Sequence, residues 1–376
     1  MRSSSLLVVA PCEKGREDNA RLTQVLTQAL AGVEKQFVTT AQEAEEAFRV
    51  LAPAEDDFAR VLFAVNLDAD GINLEYSRLL RLLRAQPHLL EGWLGGVIVD
   101  AQSELYTKST AQELVLTANM SGCSFVGRSL VEGTGSLRNF AVAARKNGHD
   151  DLMKAYVDSA CSLVQALQTF QGYRRSMPKL AVLHASNHKT SNTFALWHAV
   201  SAELDGFAIE ELGLRNGTVQ DCAGCPYKTC LHFGEKESCF YGGIMVDNVY
   251  PAVKSADAIV MICPNYNDAI SANLTAFINR LTALYRKRQF YDKALFAVIV
   301  SGYSGCDILA KQLIAALNMN KSFYLPGHFA MMEMANDPGT VLNIDGIDGR
   351  IRDFARTITQ TFRREESFTR KDSVYV

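Results

Sequence analysis

The sequence contains no apolar run of the roughly 18–20 residues that a helix needs to cross a bilayer, so no membrane span is expected. Its first residues, Met1-Arg2-Ser3-Ser4-Ser5, lead into a short apolar strand pattern and not into the apolar core and cleavage site of a secretory leader. Charge of one sign is lacking too. With 38 Lys and Arg against 41 Asp and Glu, the net charge is −3, too small a field to attract nucleic acid or an anionic membrane. A Gly-x-x-x-x-Gly-Lys loop is absent, which excludes a nucleotide-hydrolysing P-loop. His-Glu-x-x-His and Gly-x-Ser-x-Gly are absent as well, which excludes the usual zinc-hydrolase and serine-nucleophile signatures. These absences together predict a cytoplasmic protein with neither a nucleic-acid nor a membrane partner.

What is present is a chain of 376 residues, 48% hydrophobic and 21% charged, long enough for two ordinary globular domains. Nine cysteines are an odd number, and four of them cluster between Cys222 and Cys239. In a reducing compartment that pattern points to metal or redox chemistry and not to a disulfide framework.

The first half alternates strand and helix patterns. Strands are expected at Ser5–Ala10, Gln36–Thr40, Arg60–Val65, Leu94–Val99 and Ser124–Val126, with helices between them and a long one over about Asp151–Phe170. Such alternation means a parallel sheet covered on both faces. The loop Pro11–Asn19 mixes charges and is poor in hydroxyls, and the turn Glu132-Gly133-Thr134-Gly135-Ser136 lacks the flanks of a dinucleotide fingerprint. Residues 1–172 are therefore expected to be an α/β domain without its own cofactor, with a linker over Gln171–Pro178.

The second half repeats the alternation. Strands are expected at Leu180–Leu183, Gly206–Glu211, Asp257–Ile262, Leu295–Val300 and Ser322–Leu325, with a last helix over Ile351–Phe362. Five strands each followed by a helix make the flavodoxin-like doubly wound plan, whose ligands sit at strand-end loops. Residues 178–365 form this domain and 366–376 a tail. After the first strand comes Ser186-Asn187-His188-Lys189-Thr190-Ser191-Asn192-Thr193, then a helix. A hydroxyl-rich loop at a helix start offers free N–H groups and a favourable dipole to a phosphate; the same residues would equally serve as plain helix caps. The third strand runs into Pro264-Asn265-Tyr266-Asn267, an aromatic ring among amides, which suits a flat polar heterocycle. The fourth ends in Ser301-Gly302-Tyr303-Ser304-Gly305, whose glycines allow close backbone approach. Each loop alone reads equally as a turn; the three in this order suggest FMN.

Here the chain resembles the NAD(P)H-dependent FMN reductase family, in the branch that includes the iron–sulfur flavoproteins, over about Lys179–Ala330. The matching residues are the Ser-rich first loop and Pro264, Tyr266, Ser271, Ala272, Leu274 and Ile278-Asn279-Arg280. Ser191 stands where that family has glycine, and Asn187 where it has proline. The resemblance implies that Ser186, His188, Ser191, Asn192 and Thr193 bind the phosphate. It implies that Pro264, Asn265, Tyr266 and Asn267 line the isoalloxazine, and that Ser301, Gly302, Tyr303 and Gly305 line its far side. It also implies NAD(P)H as reductant and a homo-oligomer. No separate acid–base pair stands out.

Cys222, Cys225, Cys230 and Cys239 follow a C-x2-C-x4-C-x8-C spacing between the second and third strands. Four thiolates in one loop can hold a [4Fe–4S] cluster or a tetrahedral zinc, or they can remain bare thiols shaping a pocket. Iron–sulfur flavoproteins carry a four-cysteine motif at this place with shorter spacings. The functional expectation is an FMN-dependent NAD(P)H oxidoreductase passing electrons to a small-molecule acceptor or a redox protein. The alternative is a non-catalytic flavodoxin-like module that senses redox state or binds a partner through Cys222–Cys239.

Overall fold

A computed structural model of the chain describes residues 5–12, 19–53, 57–186 and 191–362. The first module runs β1 (Leu6–Val9), α1 (Ala20–Ala29), β2 (Lys35–Val38), α2 (Ala41–Val50), β3 (Ala59–Leu67), α3 (Leu74–Ala85), β4 (Trp93–Ala101), α4 (Thr107–Met120), β5 (Ser124–Gly133), α5 (Ala141–Lys146) and α6 (Leu152–Thr169). The second runs β6 (Lys179–His184), α7 (Asn192–Ser201), β7 (Ala208–Gly213), α8 (Tyr227–Glu235), α9 (Tyr250–Ser255), β8 (Ala258–Pro264), α10 (Ala272–Tyr285), β9 (Ala294–Ser301), α11 (Cys306–Leu313), β10 (Ala330–Met334) and α12 (Ile347–Phe362). A π-helical stretch, Met245–Val249, precedes α9, and another, Ile314–Met319, extends α11.

Both sheets are parallel and have five strands among the described residues. The first is ordered β2-β1-β3-β4-β5 and the second β10-β9-β8-β6-β7. Read from the opposite edge, the second order is the same as the first, the flavodoxin-like arrangement with its switch point between the first and third strands. Alternate residues explain why helices cover both faces. Leu7 and Val9 face one core and Leu6 and Val8 the other; Ala181 and Leu183 face one and Leu180 and Val182 the other. Each core runs continuously through both modules.

One expected strand is misplaced. Ser322–Leu325 is not the fifth strand of the second sheet; that strand is β10, eight residues further on, paired with β9 from Ala330–Ala297 to Met334–Ser301. The segment 322–325 touches its own sheet through one parallel bridge, Tyr324 to Ala294 at the start of β9, and also reaches the other module. The Phe125 and Leu325 N–H groups each donate to the other's carbonyl, at 2.7 and 2.9 Å, in an antiparallel bridge. Asn119, at the end of α4, donates to the Pro326 carbonyl at 2.6 Å, and Asn318, in the extension of α11, donates to the Val126 carbonyl at 3.0 Å. Equivalent elements thus exchange equivalent bonds, the reciprocal pattern of a two-fold contact. Among the described residues no helix is long and apolar enough to cross a membrane.

Candidate functional site

The carboxyl ends of β6, β8 and β9, three adjacent strands, carry the loops singled out above. After β6 the backbone is described through Ser186 and again from Ser191; Asn187, His188, Lys189 and Thr190 lie outside the described residues. Ser191 caps α7, its Oγ accepting from the Phe194 N–H at 3.4 Å. Thr193 is buried in the first turn of that helix. Asn192 is committed elsewhere: its amide donates to the carbonyls of Ala335 and Asp337 at 3.1 and 2.8 Å, and its Oδ1 accepts from the Val341 N–H. It therefore ties the first loop to the chain leaving β10, and only its backbone N–H remains at the helix start.

The second and third loops are joined directly. Asn265 Nδ2 lies 3.0 Å from both the Ser301 hydroxyl and the Ser304 carbonyl, and Asn265 Oδ1 accepts from the Asp268 N–H at 2.8 Å. Asn267 and Asp268 both adopt positive φ, 53° and 57°, which Asn and Asp tolerate better than most residues and which folds the chain back on itself after Tyr266. Gly305 has a φ of 90°, and a Cβ there would sit 2.3 Å from the Asp268 carboxylate and 2.8 Å from the Asn265 amide. Only glycine lets the two loops approach so closely. A Cβ on Gly302 would meet Asn336 Oδ1 at 3.0 Å, so this loop also touches the chain after β10. The Ala335 N–H donates to the Ser301 carbonyl, which completes a continuous path from the first loop to the third. The side chains of Tyr266 and Tyr303 are 57% and 78% exposed, available to stack on a planar ligand.

A buried imidazole, which the sequence reading did not single out, underlies the first loop. His184 ends β6 against the Phe194 ring, 4.7 Å between centroids, and a Cβ on Gly213 opposite it would lie 3.3 Å from the ring. Burial holds its pKa below the ordinary imidazole value, with Arg215 and His198 acting in the same sense and Glu211 opposing. The one sequence signal for it was a histidine closing an otherwise apolar strand.

The cysteine segment lies on α10. Arg280, buried in that helix, donates to the Gln220 carbonyl at 3.3 Å and to the Gly242 carbonyl at 2.7 Å, which clamps both ends of the segment. Asn279 holds Asp221 at 3.1 Å, and Gly234 of α8 packs where a Cβ would sit 2.8 Å from the Ala283 carbonyl. Arg286 Nε lies 3.4 Å from Cys230 Sγ, with its guanidinium 4.7 Å from the Tyr227 ring centroid. Cys225 Sγ lies 3.9 Å from the Tyr241 hydroxyl, whose pKa that contact raises, and burial raises the pKa of Tyr250 with smaller contributions from Cys239, Cys230 and Cys222. No three of the four sulfurs lie within 4.8 Å of one another. Around one zinc ion, with Zn–S bonds of about 2.3 Å, they would be roughly 3.8 Å apart. The spread-out arrangement does not suit a single zinc; a larger cubane spans more space.

Residues 178–337 match the NADPH-dependent FMN reductase family. The matched stretch starts at β6 and ends just after β10, so it holds all three strand-end loops and the cysteine segment. No curated protein matches the sequence. Among solved structures, the chain is similar to an NAD(P)H:quinone oxidoreductase from Methanothermobacter marburgensis, at 15% identity and a TM-score of 0.37, over 49% of this chain and 98% of that one. It is similar to an azoreductase from Bacillus anthracis, at 15% identity and a TM-score of 0.35, over 50% and 100% of the two chains. A Trp repressor binding protein from Bacillus subtilis gives 17% identity and a TM-score of 0.31, over 47% and 99%.

Proposed function

We propose that the second module binds FMN and that the protein is an FMN-dependent NAD(P)H oxidoreductase. The observation that carries this reading is the convergence of the three loops on adjacent strand ends within the family-matched stretch. The residues fit such a group. The start of α7 supplies N–H groups and its dipole to the phosphate, with Ser186, Ser191 and Thr193 as hydroxyl donors. Asn265 fixes the spacing of the second and third loops, and Gly302 and Gly305 let the third loop close onto Asn336 and onto Asp268 and Asn265. FMN, when bound, supplies hydride acceptance from a reduced nicotinamide and electron delivery to an acceptor. The chain's own part is to hold the phosphate, present the ring's edges to amides and backbone, and keep bulk water from its packed face.

Cys222, Cys225, Cys230 and Cys239 would hold a [4Fe–4S] cluster on this reading, with Arg280 and Arg286 beside them to offset its negative charge. The electron acceptor is a small molecule or a redox protein, and the functional assembly a homo-oligomer. Absorption spectra of anaerobically purified protein, with flavin and iron assays, test the whole. A flavin spectrum bleached by NADPH or NADH supports the enzyme, and iron near four per chain supports the cluster. Protein without flavin that does not bind added FMN would sink the proposal and favour a redox-sensing module built on the thiols. Size-exclusion chromatography showing a flavin-replete monomer would overturn the assembly.

A further inference from the structure

At the amino edges of the two sheets, opposite the strand-end loops, three donor side chains converge across the contact between the modules. His88 and Glu91 come from the turn between α3 and β4, and His328 from the segment leading into β10. His88 Nδ1 is 2.6 Å from Glu91 Oε1, His328 Nε2 is 3.7 Å from the same oxygen, and all three donor atoms lie within 4.8 Å of one another. His328 Nε2 is shielded from solvent and has no hydrogen-bond partner among the described residues. Leaving a buried ring nitrogen unpaired has a cost.

The backbone shows how His328 is held there. Its φ is 55°, in the left-handed region that a residue with a Cβ enters only under constraint. The constraint comes from the other module. The His328 N–H donates to the Asn119 carbonyl at 3.0 Å, the Phe329 N–H to Asn119 Oδ1 at 3.1 Å, and the Gly327 N–H to Ser124 Oγ at 3.0 Å. Gly327 itself packs where a Cβ would be 2.2 Å from the Gly122 carbonyl. The first module thus fixes an imidazole of the second beside its own Glu91.

We propose that His88, Glu91 and His328 bind one divalent transition-metal ion of the Zn2+ class, which ties the two modules together. Two imidazoles and a carboxylate are a borderline nitrogen–oxygen donor set that suits zinc and disfavours magnesium or calcium. With metal–ligand bonds of about 2.1 Å, tetrahedral donors stand roughly 3.4 Å apart, close to the His328–Glu91 separation. The His88–Glu91 contact widens on binding by rotation of two side chains that are 75% and 59% exposed. The fourth coordination position is left to water from the cleft of about 1280 Å3 that all three residues line.

Calorimetric titration of the chelator-stripped full chain with Zn2+ alone tests this, provided the thiols are separated from the histidines. The Cys222→Ser/Cys225→Ser variant is expected to keep one Zn2+ equivalent. His328→Asn, a residue that tolerates left-handed backbone, is expected to weaken that equivalent at least about tenfold, as is Glu91→Gln. The unfolding midpoint of the cysteine variant should rise with Zn2+, should not rise with Mg2+, and should stop responding once His328→Asn is added. Loss of the equivalent in the cysteine variant, or unchanged affinity in the fully folded His328→Asn variant, would overturn the proposal.

Discussion

The two modules share one strand order, yet at the end of its fourth strand the first holds a buried ion pair of its own, where the second has a hydroxyl and a glycine-containing loop. Both helices after the first strand begin at a polar cap, Asn19 for α1 and Ser191 for α7, and their second residues are Arg21 and Thr193. Near the ends of the third and fourth strands, Asn66 of β3 lies opposite Asp100 of β4 in one sheet, and in the other Asn265, just past β8, is bonded to Ser301 at the end of β9. In the first module Arg21 reaches Asp100 through Nε and Nη2 at 2.9 and 2.8 Å and also donates to the Ala101 carbonyl at 2.7 Å. Asn19 and the Tyr156 hydroxyl donate to the same fully buried carboxylate at 2.8 and 3.1 Å. An arginine and an aspartate thus satisfy each other at this place, while a cavity of about 380 Å3 lined by Asn19, Asn66 and Asn73 stays open beside them. Where the second module has hydroxyls and glycine, the first has a closed ion pair. One fold holds two uses, and a handful of side chains decides between them.

The sharpest way to break this comparison is to remove the ion pair. Asp100→Ala leaves Arg21 and Tyr156 without their partner in a buried setting, so a loss of roughly 3–5 kcal/mol in folding stability is expected from denaturant unfolding. Ser301→Ala, at the end of the fourth strand of the second sheet, should cost only about 1 kcal/mol. Similar losses for the two variants would mean that the modules are not used differently. The next effect belongs to the second module. Gly305→Ala forces a Cβ into left-handed backbone and against Asp268, a strain of about 1–3 kcal/mol. FMN affinity, followed by quenching of flavin fluorescence, should fall about 10- to 100-fold. Smaller still is Thr193→Val, which removes one hydroxyl from the phosphate end. A fall in FMN affinity of about tenfold is expected, whereas Arg21→Leu at the matching position should leave that affinity unchanged. If the two exchange roles, the flavin sits in the other sheet.

Much of this fold could be read from residue pattern, because strands with Val-Ile-Val cores and helices with a 3.6-residue apolar period declare themselves locally. The fifth strand of the second sheet did not. Ala330-Met-Met-Glu-Met334 lacks the β-branched and aromatic residues that mark strands, while Ser322-Phe-Tyr-Leu325 has two aromatics and makes single bridges, Tyr324 to Ala294 in its own sheet and Leu325 to Phe125 of the other module. The repeat itself left a trace. Asn119-Met120 in the first half is matched by Asn318-Met319 in the second, each asparagine bonding across the contact between modules. The strand-end loops were legible as loops, and their polar content was visible. What could not be read was which donors the protein keeps for itself. Asn192 looks like a ligand donor until Ala335 and Asp337, far along the chain, are brought against it. The Arg21–Asp100 ion pair is equally long-range, as is the pairing of His328 with a turn more than two hundred residues earlier.

The smallest expected difference between the modules is in their response to acid. The first strand ends in Val9 in one module and in His184 in the other. Burial lowers the pKa of His184 in the folded protein, while in the unfolded chain it returns to the ordinary value of about 6.5. Between those two values the unfolded state binds more protons than the folded state, so stability rises with pH. The contribution of a neutral His184 is therefore fully present above about pH 6.5 and is lost as pH falls from there through the folded-state value. His328 is shifted in the same direction by its burial and adds to the same slope. In a background already carrying His328→Asn, the substitution His184→Phe keeps an aromatic ring against Phe194 and removes the titration. The dependence of the denaturation midpoint on pH between 5 and 7 should flatten by up to one proton's worth, with little change near pH 8. A steeper slope would show instead that His184 is protonated in the folded protein, held by Glu211 against the effect of burial. The first loop would then begin beside a cation, and its preference for an anion would owe as much to that charge as to the start of α7.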